Sequence, residues 1–256
     1  MWEYDNMHIL IANDDGIFAP GIRALSNAAE AAGHRVTVFA PEAQRSAAGH
    51  AITLTRALHA RRVEYGGTRA FSVDGTPADC VRLGLYLLRN DPPDCVLTGV
   101  NNGANRGAAI VYSGTVASAM EGALCGVPGV AVSLCSHLDR DYETAARLGV
   151  KTAEWAVAHP LPRGEIYNLN VPYGVKVKGL RAATVSNEYI FSPMYAPEDG
   201  GYRMIEGRDL VPETDADSDL LVTEAGYAAL SIIRWNLLAD TPMPDLNELE
   251  AEFMEQ

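Results

Sequence analysis

Short apolar runs alternate with amphipathic stretches from Met7 to about Pro172, and that alternation dictates the fold. "HILIA" (8–12), "RVTVFAP" (35–41), "RAFSV" (69–73), "DCVLTGV" (94–100), "GVAVSL" (129–134) and "IYNLNVP" (166–172) read as strands. Between them lie segments with helical spacing. "PGIRALSNAAEAAG" puts Ile22, Leu25, Ala29 and Ala32 on one face, with Pro20 at its start and Gly33 as a stop. "PADCVRLGLYLLRN" aligns Val81, Leu85 and Leu88; "TVASAMEGALCG" and "YETAARLGVKTAEWAVAH" complete the set. Strands alternating with helices predict an α/β fold: a doubly wound, Rossmann-like, mostly parallel sheet with helices on both faces.

The pattern breaks after Ser186. Residues 187–219 are rich in proline, glycine and acid and lack helical periodicity. A stretch of that length is long for a surface loop in a compact domain. The expectation is an α/β core over 7–186, a hairpin arm over 187–219 that packs on a neighbouring subunit, and a return strand and C-terminal tail over 220–256. Tyr189, Phe191, Tyr195 and Tyr202 would anchor the arm. "GYAALSII" is the return strand, and the acidic tail from Pro242 is expected to be helical. Met1 to Asn6 read as a short extension before a second possible start at Met7.

Composition narrows the class. The 256 residues are 48% hydrophobic, enough for a substantial core. The formal net charge is −13, which excludes a protein that tracks a nucleic-acid backbone but not one that takes a small phosphorylated ligand beside a cation. No apolar run is long enough for a membrane span and no leader-like segment opens the chain, so a cytoplasmic protein is expected. Cys80, Cys95, Cys125 and Cys135 are scattered in apolar contexts and are expected to be buried and reduced.

Four polar clusters follow strands on the side where an open α/β sheet places its ligand: Asn13-Asp14-Asp15-Gly16, "EAQRSAAGH" (42–50), "DGTPADC" (74–80) and "TGVNNGANRG" (98–107), the last leading into "YSGTV". Each has an ordinary reading. Asp14 and Asp15 would serve as helix caps, Ser46 as a loop serine, and the asparagines as turn residues. Their common position at one sheet edge favours a shared role. Adjacent carboxylates at a core boundary suit a hard divalent cation, Mg²⁺ or Mn²⁺, which takes carboxylate, hydroxyl and amide oxygens. Ser113 and Thr115 around Gly114, with free N–H groups at the helix that follows, offer an anion site.

These segments together resemble the SurE family of metal-dependent nucleotidases. "NDDG" with "APG" after it, "QRSAAGHAIT", "GTPADCV", "GVNNGANRG" and "YSGTVASAMEG" occur in family order over 7–134, and "TDADSDLLVTEAGYAALS" matches more loosely. The resemblance implies one divalent metal per subunit on Asp14, Asp15, Ser46 and Asn101. It also implies a phosphate pocket shaped by Asn105, Ser113, Gly114 and Thr115, and catalytic roles for Asp14 and Asp15, with Asp14 near the attacking water. Ala108 and Ala109 stand where relatives often carry acid, and "IIRWNLL" replaces the usual end of the last strand.

The expected activity is hydrolysis of nucleoside monophosphates, at the 5′ and also the 3′ position, by a homodimer or tetramer. The alternative is a non-catalytic nucleotide or phosphosugar binder in which the metal is only a clamp. His50 reads equally as a proton donor or a loop histidine and is assigned no role.

Overall fold

A computed structural model describes residues 6–136, 141–187, 194–205 and 213–236. The first half runs β1 (His8–Ala12), α1 (Pro20–Ala31), β2 (Arg35–Pro41), β3 (Ala60–Arg62), β4 (Arg69–Val73), α2 (Pro77–Leu87) and β5 (Cys95–Asn102). It continues with α3 (Ala109–Tyr112), α4 (Gly114–Leu124), β6 (Gly129–Leu134), α5 (Glu143–Ala158) and β7 (Glu165–Val171). The chain then forms β8 (Leu180–Ala182), β9 (Met194–Glu198), β10 (Gly201–Ile205), α6 (Asp219–Glu224) and β11 (Ala228–Arg234).

Nine strands make one sheet in the order β3-β4-β2-β1-β5-β6-β7-β11-β8. Only β3 against β4 and β11 against β7 are antiparallel. All five residues of β1 are buried, as a central strand covered on both faces requires. Helices α1 and α5 pack together on one face and α2 and α4 on the other. From β1 the chain winds outward to β2 and β4, then returns to β5 and winds the other way to β7. The reversal falls between β1 and β5, where such sheets open a crevice beyond the strand ends.

Local chemistry sets the element ends. Ile22, Leu25 and Ala29 of α1 are fully buried, whereas Ala32 is exposed at the C-cap, outside the expected apolar face. Gly33 follows at φ +89°, a backbone that L side chains rarely adopt. Helix α2 opens on a capping box: Thr76 accepts from the Asp79 N–H, and Asp79 accepts from the Thr76 N–H. Cys80 and Cys95 are buried as expected. Cys125 is exposed at the C-cap of α4, where the helix ends, and Cys135 just past β6 is half-buried, so two of the four depart from the expectation; all four are free thiols. No helix among the described residues is long and apolar enough to cross a membrane.

Part of the C-terminal excursion pairs with itself. Strands β9 and β10 form a separate two-stranded antiparallel hairpin. Its Asp199-Gly200 turn has φ of +45° and +79°, the positive pair a type I′ turn uses. The far end of the expected arm instead belongs to the main body: Ser218 and Asp219 are fully buried, and Thr184 bridges to Ser218. Tyr189, Phe191 and the tail from Pro242 lie outside the described residues.

Candidate active site

At the β1–β5 boundary a cleft of about 320 Å³ is lined by Asp14, Asp15, Ser46, Asn101, Asn105 and Ser113, six of the eight residues singled out in the sequence. Ala47, Ala104, Ala109 and Tyr112 form its apolar part. The other two, Gly114 and Thr115, do not line the cleft but stand against Asp14.

Asp14 is 4% exposed at the end of β1. Neither it nor Asp15 caps α1, whose N-cap is Ala19 with no side-chain bond. Burial, and after it the charge of Asp15, push the Asp14 carboxyl from 3.8 up to about 6, against the stabilising bond from Thr115. The Thr115 hydroxyl donates to Asp14 Oδ1 at 2.7 Å, and the Thr115 N–H donates to Oδ2 at 3.2 Å. Asp14 therefore occupies the α4 N-terminus itself, the place expected to offer free N–H groups to phosphate. The Val116 N–H goes to the Ser113 side chain at 3.1 Å, so Ser113 is a true N-cap. The N–H groups of Thr115 and Val116 are therefore already satisfied within the protein. A Cβ on Gly114 would sit 2.8 Å from the Asp14 Cβ and 2.9 Å from Pro77, so glycine here is what lets Asp14 reach the helix.

Asp15 is half-buried and accepts the Asn102 N–H at 3.3 Å, which ties the ends of β1 and β5 together. Asn101 donates its side-chain N–H to the Gly103 carbonyl at 2.8 Å, leaving its amide oxygen as the atom for a ligand. The buried amide oxygen of Asn102 has no protein partner. Ser46 is exposed on the loop after β2 and accepts from the Gln44 amide at 2.8 Å. That loop is fixed where the Arg45 N–H meets the Asp14 carbonyl at 2.7 Å and where His50 contacts Glu121 at 2.8 Å. His50 thus ties the loop to α4.

Asn105 is 5% exposed, and its amide N–H donates to the Ser133 hydroxyl at 2.9 Å. A serine hydroxyl donates or accepts, so the carboxamide can turn over, keep this bond and present either its oxygen or its NH₂ to the cleft. Its main chain is held by Asn168 and Asn170 of β7, which the sequence reading passed over. Their signal was present in "IYNLNVP": two asparagines at alternate positions on one face of an otherwise apolar strand.

Two carboxylates, a hydroxyl and an amide oxygen form an all-oxygen donor set. Asp14, with its like-charged neighbour and raised carboxyl, is an anion that a bound cation would relieve. The residues present fit a hard divalent metal. Among the described residues no group of three or more His, Cys, Asp or Glu side chains gathers.

The family model described as survival protein SurE matches residues 9–191. A Nostoc protein named 5′-nucleotidase SurE is 39% identical over 93% of this chain and 92% of its own length. A Synechococcus protein of the same name is 40% identical over 95% and 96%. The crystal structure of a SurE protein from Aquifex aeolicus superposes with a TM-score of 0.76 at 29% identity, covering 97% of this chain and all of that one.

Proposed function

The chain belongs to the SurE family, and from that premise we propose that it is a metal-dependent 5′-nucleotidase acting at the β1–β5 cleft. It is a phosphomonoesterase that converts nucleoside monophosphates to nucleoside and phosphate. The observation that carries the reading is the Asp14–Asp15 pair, set at the topological switch point against the N-terminus of α4. Asp14, Asp15, Ser46 and Asn101 would hold one Mg²⁺ or Mn²⁺ ion, which when bound polarises the phosphoryl group and lowers the pKa of a coordinated water.

The protein's own groups do the rest. Asp14 lies where it can orient a water for in-line attack, its two oxygens already fixed by Thr115. Asn105, turned to present its NH₂, and the Gly114 N–H at the cap made by Ser113 stabilise charge on the transferring group. Thr115 works through Asp14 rather than on the phosphate. We extend the proposal to 3′-nucleotides, a cytoplasmic setting and a homodimer or tetramer joined through the β9–β10 hairpin. Tyr195 and Tyr202 are 58% and 79% exposed, which supports that last element.

Phosphate release from AMP, a 3′-nucleotide and an aryl phosphate, assayed with EDTA, Mg²⁺ and Mn²⁺ in turn, tests the assignment. Release from all three only with a divalent ion is expected. Tight nucleotide binding without release under every condition would replace the enzyme with a binder.

A further inference from the structure

Asn170 is fully buried on β7, two strands from β5, and does not line the cleft. Its Oδ1 accepts the main-chain N–H of Asn105 at 2.9 Å, and its Nδ2 donates to the main-chain carbonyl of the same residue at 3.0 Å. One carboxamide thus grips both polar groups of one residue, as a neighbouring strand would. Asn168 adds a second donor to that carbonyl at 2.9 Å. Ser133, opposite Asn170 in the β6–β7 register, holds the Asn105 side chain. Three side chains on two adjacent strands therefore fix Asn105.

We propose that Asn170 is a positioning residue for hydrolysis: it sets the main chain of Asn105, and through it the 101–107 loop that supplies Asn101 and Asn105 to the cleft. The proposal rests on the nucleotidase reading. A purely space-filling polar residue would not need a donor and an acceptor aimed at the two main-chain groups of one residue, and a carboxamide carries both on separate atoms of one planar group. An alanine leaves the buried Asn105 N–H without a partner, since Asn168 reaches only the carbonyl. An aspartate is nearly isosteric, yet when ionised it turns a lone pair toward the Asn105 carbonyl. Protonated, it regains an O–H donor beside a C=O acceptor and restores the grip.

The test compares Asn170→Ala, Asn170→Asp and a control, Ser231→Ala. Ser231 is equally buried, lies opposite Asn168 on β11, and its hydroxyl has no protein partner. Kinetics on AMP and an aryl phosphate with Mn²⁺ are paired with amide hydrogen exchange of 101–107. Asn170→Ala is expected to lose about 10- to 100-fold in kcat/KM on both substrates alike, with faster exchange at the Asn105 amide. Ser231→Ala should stay within about threefold of wild type. The ratio of Asn170→Asp to wild-type kcat/KM should start near one at acidic pH and fall as pH rises. That ratio remains readable if the alanine variant does not fold. Wild-type kinetics and exchange in folded Asn170→Ala, a pH-independent ratio for Asn170→Asp, or an equal loss in Ser231→Ala would each overturn the proposal. Exchange needs no turnover, so an inactive wild type would remove the nucleotidase reading while the grip on Asn105 is still judged.

Discussion

The cleft at the β1–β5 boundary gathers polar side chains and the β9–β10 hairpin displays two tyrosines, and the two are built in opposite ways. In the cleft, Asp14, Asn105 and Ser113 are buried, and each is fixed by a bond to a strand or helix of the core. In the hairpin, every described side chain of β10 is exposed and the pairing is closed by its own turn. Burying polar groups costs free energy that only partners or a ligand recover. The cleft therefore carries a chemical reason for its arrangement, while the hairpin presents a surface that nothing in the described residues covers.

That contrast can be broken first at its strongest point. Asp14→Asn removes the proposed charged ligand and the group nearest the proposed water, and should lower kcat by roughly 10²- to 10³-fold or more. Steady-state kinetics with saturating Mn²⁺ measures it.

The same carboxylate sets a pH dependence in the metal-free protein. Its pKa is about 6 in the fold against 3.8 in the unfolded chain, because burial and Asp15 disfavour the charge. The folded state then binds the proton more tightly, so stability falls as pH rises from about 4 to about 6 and stays at the lower level above that. The displacement is worth about 3 kcal/mol. Urea unfolding in EDTA should show wild type losing about 2 kcal/mol of this relative to Asp14→Asn between pH 4 and pH 7.

A smaller effect is expected one contact away. Thr115→Val deletes the 2.7 Å bond to Asp14 while keeping shape and burial, and should cost about tenfold in kcat with little change in KM. The smallest belongs to the hairpin. Tyr195→Ser with Tyr202→Ser should leave kcat/KM within about threefold while shifting the oligomer toward monomer by light scattering. A large loss of turnover in that variant would join the two regions functionally and undo the contrast.

The two regions also differ in how far the sequence reveals them. The apolar runs place β1, β2, β4, β6 and β7 because a buried strand must be apolar on both faces. β3 (Ala60–Arg62) and β8 (Leu180–Ala182) escape notice, since edge strands of three largely exposed residues carry no such pattern. The cleft residues are legible as a set because their motifs fall at strand ends. Their individual duties are not legible. That Thr115 serves Asp14 depends on a contact across 101 positions, and that Asn170 grips Asn105 depends on one across 65. Local spacing cannot encode either. In the 187–219 stretch, Asp199-Gly200 marks a turn, but nothing local tells that Ser218 and Asp219 rejoin the core.

The central claim is that like charge and burial at the Asp14–Asp15 pair destabilise the metal-free protein and that a divalent cation relieves this. Thermal unfolding of wild type and Asp14→Asn, each in EDTA and in excess Mn²⁺, tests it without reference to turnover. Asp14→Asn should melt above wild type in EDTA, and Mn²⁺ should raise wild type by several degrees while leaving the variant nearly unmoved. If Mn²⁺ and Mg²⁺ shift neither protein, or shift both equally, the pair is not a metal site and the account fails.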